Sequence, residues 1–304
     1  MAARYWEPDP TISPHVQILL HPMLSEEQVL EYRYNTYRLR QPLTSREQAI
    51  DFVNQRGFTF FWPIGGIVLP SLWVATAGDR PVADAHDDPG HITWNWKDSL
   101  LEKHVWYYAK ILRKKATIIS LELAPFFYAL SENYGSPEED YLTLYEQGRL
   151  TQEARSVYKA LLDNGPLDTV ALRKAARLTS PESDTRFNRA LTDLQTSFNI
   201  VPVGTADAGA WHYAFIYNIV ARAYPDILEG SRYIGEHDAR QKLAETYLYS
   251  VGAAQVRDIS LLFQWSSSDL DRTIARLVQS GLIQRGLQLP QFPGEWIALT
   301  SLLK

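Results

Sequence analysis

Apolar side chains recur every three or four residues through the second half of the chain, the spacing of helices that bury one face. The pattern predicts three helices followed by a β-hairpin, and the same order appears again further along the chain. The earlier set has helices at 151–164 and 169–178, a third helix that begins at 180–182, and strands at 200–203 and 211–217. The later set has helices at 239–251, 256–263 and 269–280, and strands at 282–285 and 296–299.

The first half of the chain has a less regular pattern. Ser25 and Ser45 stand before acidic first turns and predict two helix starts, the first helix reaching Arg40 and the second ending at Gly57. Runs of β-branched and aromatic residues predict strands at 58–64 and 67–77. The segment 82–97 is rich in His, Asp and Trp and is predicted to be a loop.

Three helices followed by a hairpin is the arrangement of a winged helix, whose third helix enters the major groove of DNA. The outward face of this helix carries Arg186, Asn188 and Arg189 in the earlier set, and Arg272 and Arg276 in the later set. Arg and Asn suit the edges of guanine and adenine, so these residues are candidate DNA contacts. Two alternatives stay open, because such helices also mediate protein association and exposed arginines are often only solvated.

Two other places in the sequence suit contact with DNA. The aromatic pair Trp211 and His212, at the tip of the first predicted hairpin, suits stacking or wedging against bases. A basic stretch suits phosphate contact, which positions a protein without specifying sequence, or is simply a solvated face. Its members are Lys110, Arg113, Lys114 and Lys115.

Composition narrows the class of protein. The chain has 304 residues, of which 45% are hydrophobic and 21% charged, which is typical of a folded protein of two or three domains. It has no cysteine, which excludes disulfides, thiolate metal sites and a cysteine nucleophile. A net charge of -5 argues against nonspecific coating of nucleic acid. The apolar runs are too short to span a membrane, so a cytoplasmic location is expected.

Several short segments occur in an order that a known family shares. They are 51–57 followed directly by 58–64, the dipeptide Leu72-Trp73, the segment 160–167, and the segments 240–243 and 247–252. In this order they resemble the bacterial winged-helix DNA glycosylases of the AlkZ and YcaQ type. The likeness extends over most of residues 25–285, and the order of units carries it.

The resemblance implies an α+β fold of tandem winged-helix (helix-turn-helix) units with a β-rich portion, together forming a concave DNA-binding surface. The expected partner is double-stranded DNA, alkylated or crosslinked, and the implied reaction is hydrolysis of the N-glycosidic bond of an alkylated purine without a cofactor or metal. The expected divisions are an irregular segment at 1–24, a first, divergent unit at 25–80, a connecting β-rich region at 81–148, a second unit at 149–230 and a third at 231–304.

One position departs from the family. Its members carry Gln–apolar–Gln or Gln–apolar–Asp where this chain has Phe60-Phe61-Trp62. Neither Phe60 nor Trp62 orients water as an amide does or offsets a full positive charge on the sugar. Because residues 58–64 contain no carboxylate or carboxamide, the family's mechanism is not expected here.

The segment 84–91 is the densest group of acids and imidazoles in the chain. Asp84, His86, Asp87 and Asp88 suit acid–base catalysis or a divalent metal, although their spacing fits no strong metal signature. Alternatively, they form a surface turn whose Asp side chains bond to their own backbone. The adjoining residues 94–97 suit either core packing or the stacking of an exposed base.

Three functions follow from these observations. The first is a DNA-binding protein related to alkylpurine and crosslink glycosylases, with the catalytic triplet replaced. The second is an active glycosylase that uses non-standard residues, with the segment 84–91 as the candidate source. The third is a non-catalytic transcription regulator or protein-interaction scaffold.

Overall fold

The computed structural model describes residues 24–133, 135–209 and 212–303. In these residues helices alternate with three small antiparallel sheets, so the predicted α+β class is confirmed. The helices are α1 (Glu26–Thr36), α2 (Arg46–Arg56), α3 (Leu72–Ala77), α4 (Ile92–Leu101), α5 (Ala124–Tyr128), α6 (Asp140–Glu146), α7 (Gln152–Asn164), α8 (Thr169–Ala175), α9 (Asp184–Thr196), α10 (Val220–Ala223), α11 (Pro225–Ser231), α12 (Glu236–Val251), α13 (Val256–Phe263) and α14 (Ser267–Gln279). The strands are β1 (Phe58–Phe60), β2 (Tyr107–Lys110), β3 (Ala116–Ile119), β4 (Leu167–Asp168), β5 (Ile200–Ala206), β6 (Ala214–Ile219), β7 (Ala253–Gln255), β8 (Ile283–Leu289) and β9 (Phe292–Leu299).

The three described sheets share one connectivity. Their strand orders are β1-β3-β2, β4-β6-β5 and β7-β9-β8, so in each sheet a short first strand pairs with the second strand of the hairpin. A helix precedes each short strand, and two helices separate that strand from its hairpin. The order of helix, strand, two helices and hairpin therefore occurs three times, beginning at α2, α7 and α12.

The first of these runs differs from the sequence-based prediction. Residues 67–77 were expected as a strand, but Leu72–Ala77 is helix α3, because the Ser71 hydroxyl accepts a hydrogen bond from Val74 N at 3.2 Å and caps the helix. The expected loop at 82–97 contains most of α4. The predicted strand at 58–64 is shorter, ending at Phe60. Residue 80, the expected end of the first unit, lies between α3 and α4 in the chain.

The second half follows its predicted pattern closely. The inward positions of α9 are buried, among them Phe187 and Leu194. In α14 the polar Thr273 is 3% exposed, whereas the apolar Val278 is 37% exposed. Thr273 lies three residues after Leu270 and therefore shares its face. Its hydroxyl donates to the Asp269 carbonyl at 2.7 Å, so the burial of this polar group costs little free energy.

The runs are packed into one body. The largest core cluster joins residues of all three, including Phe58, Phe198 and Leu243. Helix α1 packs against α12, and Arg33 donates to the carbonyls of Val251 at 3.1 Å and Ala253 at 2.8 Å. Among the described helices, none combines the length and apolar character needed to cross a membrane.

Candidate nucleic-acid interface

The basic stretch forms a tight turn between β2 and β3. Lys110, Lys114 and Lys115 are exposed on it, and Arg113 is half-buried. Arg113 and Lys114 both have a φ of 57°, the left-handed region that few non-glycine residues occupy. Partial burial, and secondarily the nearby charge of Lys115, lower the pKa of Lys110. The turn therefore holds several cations together on a strained backbone.

Helix α9 lies directly against this turn. Lys110 N donates to the Gln195 side-chain oxygen at 3.2 Å, and the Thr196 hydroxyl donates to the Lys110 carbonyl at 2.8 Å. The Lys114 ammonium forms an ion pair with Asp193 at 2.6 Å. These contacts attach the turn to the second half of α9, although the two segments are far apart in sequence.

The outward face of α9 continues the cationic surface. Arg186, Asn188 and Arg189 are exposed, with Arg186 3.1 Å from Glu153 and Arg189 3.6 Å from Asp193. The structure thus brings together two sets of residues that the sequence offered separately. We call this the α9 surface; its members are Lys110, Arg113, Lys114, Lys115, Arg186, Asn188 and Arg189.

The corresponding face of α14 has different neighbours. Arg276 pairs with Asp238 of α12 at 2.7 Å, and Arg272 lies 3.7 Å from Asp269. Arg240 of α12 also lies 3.6 Å from Asp269. The cations around α14 are therefore balanced by acids that come largely from its own helix and from α12.

The tip of the hairpin β5–β6 is only partly described. Trp211 lies outside the described residues. His212 is exposed, with a φ of 51°, and its Nδ1 lies 2.8 Å from the Asp207 carboxylate.

The aromatic triplet lies at the end of β1, beside the basic turn. Phe60 is fully buried and pairs with Thr117 of β3. Phe61 N donates to the Ala116 carbonyl at 2.9 Å, which places this part of the chain next to the end of the turn at Lys115. Trp62 is half-buried against Phe61, Trp73 and Trp94. The triplet therefore presents aromatic carbon, and only Trp62 has partial access to solvent.

A buried lysine lies under these rings. Lys97 of α4 is 1% exposed, and its ammonium lies 4.7 Å from the Trp94 ring centre and 4.6 Å from that of Phe215. It donates to the Tyr213 hydroxyl at 3.0 Å and pairs with Asp98 at 2.8 Å, while that hydroxyl donates to Asp98 at 2.9 Å. Burial lowers the pKa of Lys97, and the ion pair with Asp98 opposes this shift.

We call Lys97, Asp98 and Tyr213 the clasp, because they join α4 of the first run to the hairpin of the second. The clasp was not among the sites predicted from the sequence. A signal exists, since Lys97 stands between Thr93 and Leu101 at helical spacing and both of these are buried. Its partner Tyr213 is distant in sequence, so no local pattern indicates the contact.

The acidic segment 84–91 is mostly a surface turn. Asp84, His86 and Asp87 are exposed. Asp88 accepts a hydrogen bond from Gly90 N at 2.8 Å and pairs with Arg80 at 2.6 Å, and these contacts, the Arg80 bond foremost, lower the pKa of Asp88. Within the described residues, no group of three or more His, Cys, Asp or Glu side chains is arranged to hold a metal ion.

One residue of this segment reaches the triplet. The His91 ring lies edge-on to Trp62, with 6.1 Å between ring centres, and its Nε2 is 2.9 Å from the Ala83 carbonyl. The acidic turn therefore adjoins the aromatic cluster around Trp62.

The sequence model of a family described as AlkZ related matches residues 43–264. The chain belongs to the AlkZ-related family. The resemblance found in the sequence is thereby confirmed. Among solved structures, the Streptomyces sahachiroi DNA glycosylase AlkZ matches with a TM-score of 0.59 and 12% identity, over 92% of this chain and 71% of that one. This second likeness concerns the fold. No curated protein matches the sequence.

Proposed function

We propose that this member of the AlkZ-related family binds double-stranded DNA through the α9 surface. The juxtaposition of the basic turn with the exposed face of α9 is the observation that carries the proposal. Six cationic side chains meet there, with Asp193 and Glu153 as the paired acids. Phosphate contacts by such cations supply a large share of the affinity of DNA-binding proteins.

In the proposed arrangement, each of the three runs of elements is a winged helix. The tandem units together form a concave face for DNA. In this interpretation α9 is the helix that enters the major groove, and β5–β6 is its wing. The repeated connectivity of the sheets supports it. We assign the units to the runs that begin at α2, α7 and α12, with residues between the first and second runs as a connection.

We further propose that the chain does not cleave the N-glycosidic bond by the family's route. Hydrolysis passes through a positively charged sugar and requires a polar group to position water. Phe60 is buried, and Trp62 is packed among aromatic rings. Neither residue supplies that group. Alkylated or crosslinked duplexes remain the DNA most relevant to test, given the family.

An active glycosylase is the second candidate, and the contact between His91 and Trp62 favours it. In that case Asp84, His86, Asp87 or Asp88 would supply the carboxylate or imidazole. The test is release of base from duplex DNA that contains N7-methylguanine. Release that is lost when Asp84, Asp87 and Asp88 are all changed to Asn would establish this alternative.

Equilibrium binding to a labelled duplex, followed by fluorescence anisotropy, tests the main proposal. Binding that weakens steeply between roughly 50 and 200 mM salt is expected for phosphate contacts. Absence of binding at the lower salt concentration would favour a protein-interaction scaffold and overturn the proposal. Binding without base release is the result expected for a non-catalytic DNA-binding protein.

A further inference from the structure

Two exposed aromatic rings lie side by side where α4 meets the base of the hairpin β5–β6. Trp94 of α4 is 41% exposed, and Tyr213, at the base of the hairpin tip, is 37% exposed. Their ring centres are 6.4 Å apart, and Trp62 lies 5.9 Å from Trp94. Trp96, two residues from Trp94, is buried in the core. Helix α4 therefore directs one Trp inward and keeps the other accessible.

The clasp fixes this pair from below. The Lys97 ammonium lies 4.7 Å from the centre of the Trp94 ring and 5.6 Å from that of Tyr213, and it hydrogen-bonds the Tyr213 hydroxyl. Asp98 accepts from the same hydroxyl. Because the rings are held before any ligand arrives, little side-chain freedom remains to be lost on binding.

The basic turn lies at one end of this aromatic cluster. Lys115 stands next to Ala116, whose carbonyl accepts from Phe61 N, so it lies at the Trp62 end of the cluster. Exposed aromatic faces beside cationic side chains are the arrangement that binds bases by stacking and the backbone by charge.

We propose that Trp94 and Tyr213, supported by Trp62 and the clasp, form a platform that stacks one unpaired nucleobase of a bound DNA strand. This inference rests on the proposed DNA binding and adds a site for a base outside the duplex. The basic turn beside the rings favours nucleic acid over an apolar peptide as the occupant. The stacking requires no particular base, because every base offers a flat aromatic face.

The test compares a duplex that contains one unpaired 2-aminopurine with the same duplex fully paired. The wild-type protein is expected to bind the duplex with the unpaired base about tenfold more tightly, which is within the range of one stacked base. Trp94→Ala is expected to remove this preference and keep the affinity for the paired duplex. Trp94→Phe, which retains a ring, is expected to keep part of the preference.

The matched control is Tyr249→Ala, since Tyr249 is 43% exposed on α12 and takes no part in the platform. It is expected to keep the full preference. Equal binding of both duplexes by the wild-type protein would overturn the proposed stacking on the platform but not the proposed binding of DNA by the α9 surface. A preference that survives Trp94→Ala would place the stacking site elsewhere. Binding to neither duplex would overturn both proposals.

Discussion

Helices α9 and α14 occupy the same place in two runs of elements and differ in their surroundings. Both carry arginines on the outward face, and the sequence offers them as equals. The basic turn packs against α9 and adds four cations, whereas Arg276 of α14 faces Asp238 of α12. Equivalent helices thus acquire different electrostatics from what packs beside them. We therefore expect α9, and not α14, to make the principal DNA contacts.

The clasp holds the run that contains α9 against the run that carries the basic turn, so breaking it has the largest expected effect. Asp98→Ala removes the ion-pair partner of a buried ammonium, so it is expected to lower the free energy of unfolding by about 3 kcal/mol. The change is measured by urea denaturation. The double variant Lys97→Met/Asp98→Ala removes both charges and is expected to recover most of the loss.

Asp163→Ala is the matched control for the clasp, because it breaks an exposed ion pair with Lys159. Because this pair is solvent-exposed, Asp163→Ala is expected to unfold at nearly the same urea concentration as the wild-type protein. If Asp98→Ala unfolds at the same urea concentration as the wild-type protein, the clasp does not stabilise the contact between α4 and the hairpin β5–β6.

The next largest effect separates the two helices directly. Arg189→Ala is expected to weaken binding to duplex DNA about tenfold near 0.1 M salt, as the loss of one phosphate contact does. Arg276→Ala is expected to change it less than about twofold, because Arg272 and Arg276 of α14 are matched by Asp269 and Asp238. The six cations of the α9 surface, in contrast, share two paired acids. Anisotropy titrations measure both. Equal losses would show that the two faces bind alike, and our distinction would be wrong.

The smallest effect concerns pH. Burial lowers the pKa of Lys97 in the folded protein. Between this lowered pKa and the ordinary lysine pKa, the unfolded chain therefore binds more protons than the folded protein does. The stability contributed by Lys97 therefore rises as the pH increases from that value to the ordinary lysine pKa of about 10.4. Lys97→Met is expected to lack this rise. The measurement is the difference in unfolding free energy between the two proteins across this range, in which the contributions of tyrosines that do not contact Lys97 cancel.

Local patterns in the sequence predicted most helices of the second half because apolar residues recur at helical spacing, and Thr151, Asp168 and Ser266 cap three of these helices. They failed at α3, where β-branched residues favour a strand but the Ser71 cap decides for a helix. They also missed α4, whose polar and aromatic residues resemble a loop. The residues of the α9 surface were recognised individually. Their assembly depends on contacts such as Lys114 with Asp193, which no local pattern encodes.

The central claim is that the α9 surface binds DNA through its cations. The most direct test is the dependence of the dissociation constant on salt, for the wild-type protein and for Lys114→Ala/Lys115→Ala. Our account predicts that the double variant binds more weakly and that the slope of log Kd against log salt falls by about two. Lys159→Ala/Arg232→Ala removes two exposed cations elsewhere and should leave the slope unchanged. An unchanged slope in the Lys114/Lys115 variant would contradict the account.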